Sequence, residues 1–207
     1  MTIRTILMDP PWRMCSGGKS SINVHYQYPL QSQQEIKETV DQWLAQYDIA
    51  EEAHVYIWVI NSFKTGECRG ILDGVELCEH IGFRPITLIP WVKSNSGNPT
   101  PYGQRCVEHC LFGVRNRPGR IRDVAWTGGT TAKNMSTSVD YLIHPRGKHS
   151  KKPEIFYEYI EDRSHGGYLE LYARNRRPYW ESIGNEVDLP LADFRPRNDN
   201  LQYRLFS

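Results

Sequence analysis

The sequence predicts an α/β fold in which helices cover both faces of a parallel or mixed sheet. Short, continuously apolar segments of strand length alternate along the chain with segments of helical periodicity. Strands buried on both faces show such apolar runs, whereas half-exposed strands alternate polar and apolar residues. The 207 residues suffice for one domain with a sizeable core. We therefore expect a single domain over residues 1–187 and a C-terminal tail over residues 188–207, where prolines alternate with polar residues.

The first half of the chain is predicted to contain three strands and two helices. The strands are the apolar segments at residues 2–8, 54–60 and 86–92. Ser32 followed by Glu35 is a capping box, which predicts the start of a helix with apolar residues at helical spacing. A second helix is indicated by the apolar spacing over residues 71–78, and Gly82 marks its C-terminal end.

The second half is predicted to contain loops, two further strands, one helix and a last ordered segment. The strands are at residues 108–114 and 168–173, and the last ordered segment is at residues 180–187. Residues 94–103 have the composition of a loop, and residues 128–144 are expected to be a long loop with at most a short strand near its end. Ser150 is expected to cap a helix that has Pro153 in its first turn.

Composition and cysteine content exclude several classes of protein. No apolar run approaches the ~20 residues needed to span a bilayer, so we expect no membrane segment. Prolines at positions 10 and 11 interrupt the N-terminal apolar stretch, which is unlike a signal peptide. Five cysteines without a regular spacing indicate a reducing compartment. The chain is therefore expected to be cytoplasmic.

The basic residues are clustered although the net charge is only +1. Four arginines fall within residues 115–122, and two further basic clusters lie at residues 146–152 and 174–177. Such clusters can neutralise phosphates locally, and a solvated charged surface is the alternative. We expect Arg117 and Arg120 of the first cluster to contact nucleic acid.

A rigid acidic and aromatic turn, Asp9-Pro10-Pro11-Trp12, follows the first predicted strand. The two prolines fix two φ angles and remove two backbone donors, so the carbonyls of this turn are not used by a following helix. Carboxylate and carbonyl acceptors beside an aromatic face suit the binding of a planar base by its exocyclic amine, with Trp12 stacked on the ring. A strand end with a core tryptophan remains the alternative.

Further segments accompany this turn in a fixed order: Tyr26, residues 91–95, residues 108–114, residues 150–154, residues 170–174, Trp180 and residues 184–186. As an ordered set they resemble the adenine methyltransferase family that includes the catalytic subunit of the messenger-RNA adenosine methyltransferase and many bacterial and phage DNA enzymes. The resemblance implies a Rossmann-like, S-adenosylmethionine-dependent methyltransferase fold with a permuted motif order, in which the catalytic motif precedes the cofactor motif.

The resemblance also implies the roles of individual residues. The catalytic motif would be Asp9, Pro10, Pro11 and Trp12, with the amine hydrogens accepted by Asp9 and the Pro10 carbonyl. The residues implied to bind S-adenosylmethionine are Asp9, Lys152, Tyr172, Arg174, Asn175, Arg176, Asn185 and Glu186. Those implied to contact the acceptor base are Trp12, Tyr26 and Glu108. No metal is implied.

Whether the adenine belongs to DNA or to RNA is predicted from the length and content of the chain. The short chain and its lack of RNA-binding modules favour DNA, with the adenine flipped from the stack, over RNA. A bacterial or phage protein is favoured over a nuclear one, and a homodimer or a partner subunit is left open. A catalytically silent scaffold is disfavoured by the intact motif. A zinc site formed by His80, Cys106, His109 and Cys110 is disfavoured because a second close pair beside Cys106 and Cys110 is missing.

Overall fold

A computed structural model describes residues 1–13, 30–61, 69–95, 98–100, 103–116, 141–147, 152–184 and 187. The elements in these ranges are β1 (Thr2–Met8), α1 (Gln33–Leu44), β2 (Asp48–Val59), α2 (Ile71–His80), β3 (Arg84–Val92), β4 (Asn98–Thr100), β5 (Gly103–Arg105), β6 (Val107–Arg115), β7 (Leu142–Ile143), α3 (Ile155–Glu161), β8 (Tyr168–Leu171) and β9 (Trp180–Ile183). Seven strands form one sheet in the order β7-β3-β6-β2-β1-β8-β9, and β4 pairs with β5.

The sheet is mixed, and its strand directions place the carboxyl ends of several strands at one edge. β1 is parallel to both β2 and β8, and β8 is parallel to β9. β6 is antiparallel to its neighbours β2 and β3. The carboxyl ends of β1, β2, β3, β8 and β9 therefore lie at the same edge as the start of β6. We call this the C-terminal edge.

Each face of the sheet carries its own hydrophobic core. Ile6 and Met8 of β1 pack with side chains of α1 and α2 on one face. Leu7, between them in the sequence, packs on the other face with Phe156 and Ile160 of α3. This alternation follows from the two-residue repeat of a strand. The prediction of an α/β sheet covered on both faces is confirmed.

Several predicted elements have the expected bounds and end signals. β1 coincides with the predicted segment, and the capping box is present, because the Ser32 backbone N–H donates to Glu35 Oε2 at 2.7 Å while the Ser32 side chain caps Glu35 N–H. α2 ends just before Gly82, whose φ of 80° is the left-handed conformation that glycine adopts easily. β2 begins earlier than predicted, at Asp48, because backbone pairing with Thr2 and Ile3 extends it through polar residues.

Other predictions were wrong in detail. The expected loop over residues 94–103 contains β4 and the start of β5, which pair by backbone groups that composition does not reveal. The predicted start of α3 was wrong, since the helix begins at Ile155 and its N-cap position is Glu154, which makes no side-chain cap bond. Ser150 itself lies outside the described residues. β8 ends at Leu171 because Tyr172 has a φ of 60°. Much of the predicted loop over residues 128–144 and the tail over residues 188–207 lie outside the described residues.

Among the described segments, no helix has both the length and the apolar character required to cross a membrane. Of the helices within the described residues, the longest is α1, with 12 residues.

The end of β9 approaches the turn after β8 so closely that Gly184 has no room for a side chain. A Cβ at this position would lie 2.1 Å from the Ala173 carbonyl oxygen. The Ala173 N–H also donates to the Ile183 carbonyl at 2.9 Å, which holds the two backbones together. We expect Gly184→Ala to lower the free energy of unfolding by about 1–3 kcal/mol, because rigid backbone must move.

Urea denaturation measures this change, and Gly147→Ala is the matched control. A Cβ at Gly147 meets no atom within 4 Å, so that variant is expected to stay within about 0.5 kcal/mol of the wild type. Equal stabilities for the two variants would contradict the tight approach at Gly184.

Candidate active site

The C-terminal edge brings together residues that are far apart in the sequence. Their places are Asp9 after β1, Trp58 near the end of β2, Lys93 after β3, Glu108 near the start of β6, Lys152 shortly before α3, and Arg174 after β8. β1 and β8 are neighbours with Met8 opposite Leu171, so the chain leaves both strands at the same level. The predicted catalytic turn and the predicted cofactor segment therefore lie side by side. In open α/β sheets, ligands bind at this edge.

Four of these side chains form a continuous chain of ion pairs. The Lys152 Nζ lies 3.3 Å from Asp9 Oδ1 and 3.0 Å from Glu108 Oε2. The second oxygen of Glu108, Oε1, lies 2.6 Å from Lys93 Nζ. We call Asp9, Lys152, Glu108 and Lys93 the ion-pair chain. It links the turn after β1 to the starts of α3 and β6 and to the end of β3.

The charges around Glu108 and Lys152 shift the pKa of each of these two groups toward its ionised form. Burial alone would raise the pKa of Glu108, but the ammonium groups of Lys152 and Lys93 outweigh it and lower that pKa to about 2. Burial alone would lower the pKa of Lys152, but the carboxylates of Asp9 and Glu108 outweigh it and raise the pKa. Lys152 is therefore a permanent ammonium near neutral pH and cannot accept a proton.

Trp12 anchors the turn after β1, residues 9–12, in the core. Its ring is 7% exposed and packs in the core cluster of α1 and α2, and its indole N–H donates to the Trp58 carbonyl at 2.8 Å. The Trp12 backbone N–H donates to the Pro10 carbonyl at 2.9 Å. Beyond this bond, one lone pair of the Pro10 carbonyl oxygen remains available to a ligand. Stacking of Trp12 on a base stays a prediction, and it would use the small exposed part of the ring.

The turn after β8 is connected to the turn after β1 through Gln31. The Tyr172 ring is 3% exposed and edge-on to Trp43, and its hydroxyl donates to Gln31 Oε1 at 2.9 Å. The Gln31 N–H donates to the Pro11 carbonyl at 2.9 Å. Since its side chain lies in the core, any cofactor contact by Tyr172 would come from its backbone. Gln31 thus joins both turns, and nothing in the local sequence signals this.

The residues after Tyr172 occupy different environments. Arg174 is half-buried, and its charge offsets part of the rise that burial causes in the pKa of Glu170. Asn175 is exposed, and the Arg176 Nε–H donates to the Val187 carbonyl at 2.9 Å. Arg176 therefore also ties this turn to the segment after β9. Cofactor contacts by all three remain predictions.

Glu170 is a candidate site residue that the sequence analysis did not select. It lies on β8 between the buried Leu169 and Leu171, and the Tyr157 hydroxyl donates to its Oε1 at 2.8 Å. Burial is the main reason why its pKa is raised to about 7, and the nearby Asp9 carboxylate adds to this. An acidic residue inside an otherwise apolar strand was the available signal. Lys93, directly after the apolar β3, gave a similar one.

Five predicted contact residues lie outside the described residues, and their roles stay predictions: Tyr26, Arg117, Arg120, Asn185 and Glu186. Within the ranges that the structure describes, no group of three or more His, Cys, Asp or Glu side chains could hold a metal ion. Cys110 is fully buried, and burial raises the pKa of its thiol well above the ordinary value.

The mixed α/β sheet, with an acidic turn at its C-terminal edge, is consistent with a Rossmann-like methyltransferase fold. Comparison with known families agrees with this assignment. The MT-A70 family profile matches residues 3–186, so the chain belongs to the MT-A70 family. The predicted resemblance to adenine-N6 methyltransferases is confirmed.

The chain is also similar to a human protein, the N(6)-adenine-specific methyltransferase METTL4. The two are 31% identical over an alignment of 202 residues, and the match covers 90% of this chain. The chain spans 38% of the length of that relative.

The raised pKa of Glu170 predicts how stability depends on pH. Because the folded-state pKa is about 7 and the ordinary value is 4.5, the folded protein binds more protons than the unfolded chain between these values. The contribution of Glu170 to stability is therefore present below about pH 4.5 and is lost as pH rises through 7. Glu170→Gln should remove this loss, so the variant gains stability relative to the wild type as pH rises from about 5 to 8.

Chemical denaturation at a series of pH values measures the difference. Glu52→Gln, at an exposed position on β2, controls for the removal of a carboxylate as such. A constant difference between wild type and Glu170→Gln over this pH range would show that Glu170 is ionised in the folded protein like an exposed glutamate.

Proposed function

We propose that this chain transfers a methyl group from S-adenosylmethionine to the exocyclic N6 amine of adenine in DNA. The observation that carries the proposal is the position of Asp9, which lies beside the turn after β8 with its carboxylate held by Lys152 at 3.3 Å. Membership of the MT-A70 family supports the reaction, as does the similarity to the human N(6)-adenine-specific methyltransferase.

The chemistry of the acceptor explains why a fixed carboxylate is needed. The lone pair of an aromatic amine is delocalised into the ring, so the amine is a poor nucleophile. A carboxylate and a carbonyl that accept its two N–H groups favour the geometry in which the lone pair leaves the ring plane. Asp9 and the remaining lone pair of the Pro10 carbonyl are suited to these two bonds. As the new N–C bond forms and the bond from the methyl group to the cofactor sulfur breaks, the amine would gain positive charge, and Asp9 is placed to take its proton.

The side chains of the site also fit the chemical groups of S-adenosylmethionine. This molecule has a sulfonium, an ammonium, a carboxylate and a ribose diol. Asp9 and Glu170 are carboxylates at neighbouring positions that suit the two cations, and Arg174 suits the carboxylate. When bound, the cofactor supplies an electrophilic methyl group. The implied roles of Asn185 and Glu186 toward the diol complete the proposed site.

Lys152 and Glu108 have roles that follow from their charges. Lys152 stays protonated, so it orients Asp9 electrostatically and does not act as a base. Its Nζ also lies 4.6 Å from the centroid of the Trp58 ring, which limits its freedom further. Each oxygen of Glu108 already accepts from an ammonium group. The proposed contact of Glu108 with the base would therefore use its remaining lone pairs.

DNA is the proposed substrate, and the adenine must leave the base stack to reach Asp9. The expected phosphate contacts of Arg117 and Arg120 support a nucleic-acid substrate of either kind. RNA is the alternative because the reaction at the amine is the same on both polymers. If a partner subunit is required, the isolated chain would transfer no methyl group until the second protein is added.

The central role of Asp9 predicts the behaviour of Asp9→Asn. The amide has nearly the shape of the carboxylate but lacks its charge and its capacity to accept a proton. We expect methyl transfer to fall by roughly a hundredfold or more, as is typical when a positioned acid–base group is lost. The wild type and the variant are incubated with labelled S-adenosylmethionine and either duplex DNA or RNA, and the products are identified by nucleoside mass spectrometry.

Asp41→Asn is the matched control, because Asp41 is an exposed aspartate on α1 that pairs with His80 at 2.8 Å. It should keep the wild-type rate. N6-methyladenine in DNA but not RNA supports the proposed polymer, and the reverse result assigns RNA. Transfer by Asp9→Asn at the wild-type rate would contradict the role given to this motif.

A further inference from the structure

Lys93 is a buried cation that the proposed chemistry does not use. It is 8% exposed, and its backbone N–H donates to the Cys106 carbonyl at 2.7 Å, so the main chain is fixed where β3 ends. Its ammonium lies 5.3 Å from the centroid of the Trp91 ring. A lysine is rarely buried to this degree unless its charge is paired. The partner is Glu108, at 2.6 Å.

The contact divides the two oxygens of Glu108 between two lysines. Lys93 occupies Oε1, and Lys152 contacts Oε2 at 3.0 Å. From this place the same Lys152 Nζ reaches Asp9 Oδ1 at 3.3 Å. A half-buried carboxylate with only one cation nearby draws that cation toward both of its oxygens. Lys93 therefore limits how far Lys152 can move toward Glu108.

We propose that Lys93 is a positioning residue for methyl transfer, which holds Glu108 Oε1 and so keeps the Lys152 ammonium shared between Glu108 and Asp9. The inference rests on the proposed function of the site. It assigns Lys93 no contact with substrate or cofactor. Its effect on the reaction passes through Glu108 and Lys152 to the carboxylate of Asp9.

Lys93→Met keeps the length of the side chain and removes its charge. Lys152 should then move toward both oxygens of Glu108 and away from Asp9. A displacement of about 1 Å in a reacting site can lower the rate up to about a hundredfold. We therefore expect kcat to fall at least about tenfold. KM for S-adenosylmethionine should change less than kcat, since Lys93 lies outside the proposed cofactor site and affects it only through Lys152. Lys93→Arg, which keeps a cation, should restore part of the rate.

A double-mutant cycle with Glu108→Gln tests whether Lys93 acts through Glu108. If it does, Lys93→Met should add no further loss of kcat in the Glu108→Gln background. Lys37→Met is the matched control, because Lys37 on α1 is a half-buried lysine paired with Glu76 on α2 at 2.5 Å. That variant should keep the wild-type kcat. Losses that multiply in the double variant, or an unchanged kcat in folded Lys93→Met, would overturn the proposal.

Crystal structures of the wild type and Lys93→Met provide a test that needs no activity. The charged groups that face Glu108 are Lys93 from the end of β3 and Lys152 from the start of α3, with Asp9 beyond Lys152. In the variant, the separation of Lys152 Nζ and Asp9 Oδ1 should exceed the ion-pair limit of about 4 Å. An unchanged separation would overturn the positioning role. The expected movement in a chain that methylates nothing would instead reject the proposed function alone.

Lys93→Gln, which keeps a hydrogen-bond donor without the charge, replaces Lys93→Met in both experiments if the methionine variant does not fold. The same shift of Lys152 and the same cycle are expected. Retention of the wild-type Lys152 position in this variant would equally overturn the proposal.

Discussion

The ammonium of Lys152 lies between the carboxylates of Asp9 and Glu108, and the arrangement of the whole C-terminal edge depends on that shared contact. Partly buried charges are stable only when each has a partner, because removing one leaves another unpaired away from water. The contact also joins three elements that do not adjoin in the sequence: the turn after β1, the segment before α3 and the start of β6. It therefore fixes the direction of the Asp9 side chain, the property on which the proposed chemistry depends.

The sheet topology explains how a catalytic motif at the start of the chain can precede the cofactor segment near its end. β1 lies between β2 and β8 and is parallel to both, so the turns that follow β1 and β8 emerge together. Gln31 then bonds to the Pro11 backbone and to the Tyr172 hydroxyl, which couples the two turns directly. The close approach of Gly184 to Ala173 holds the far side of the second turn. A permuted motif order is thus compatible with one shared pocket.

Features that depend on local chemistry were predicted well from the sequence. The apolar run of β1, the capping box at Ser32 and the stiff turn at Asp9 each carry their signal within a few residues. The predicted start of α3 was wrong because several nearby residues could begin a helix, and only the fold decides that it begins at Ile155. Lys93, Gln31 and Glu170 were not selected, since their importance comes from partners many positions away. Their roles follow from strand pairing, which one sequence does not specify.

The central claim is that the two ends of the domain form one binding pocket for S-adenosylmethionine. Isothermal titration calorimetry of the wild type, Asn185→Ala and Glu186→Ala with this cofactor tests it most directly. The account predicts binding to the isolated wild-type chain and affinity lowered at least about tenfold in both variants, since each loses hydrogen bonds to a polar ligand. A wild-type chain that binds no cofactor, with or without nucleic acid, would contradict the account and favour a silent scaffold.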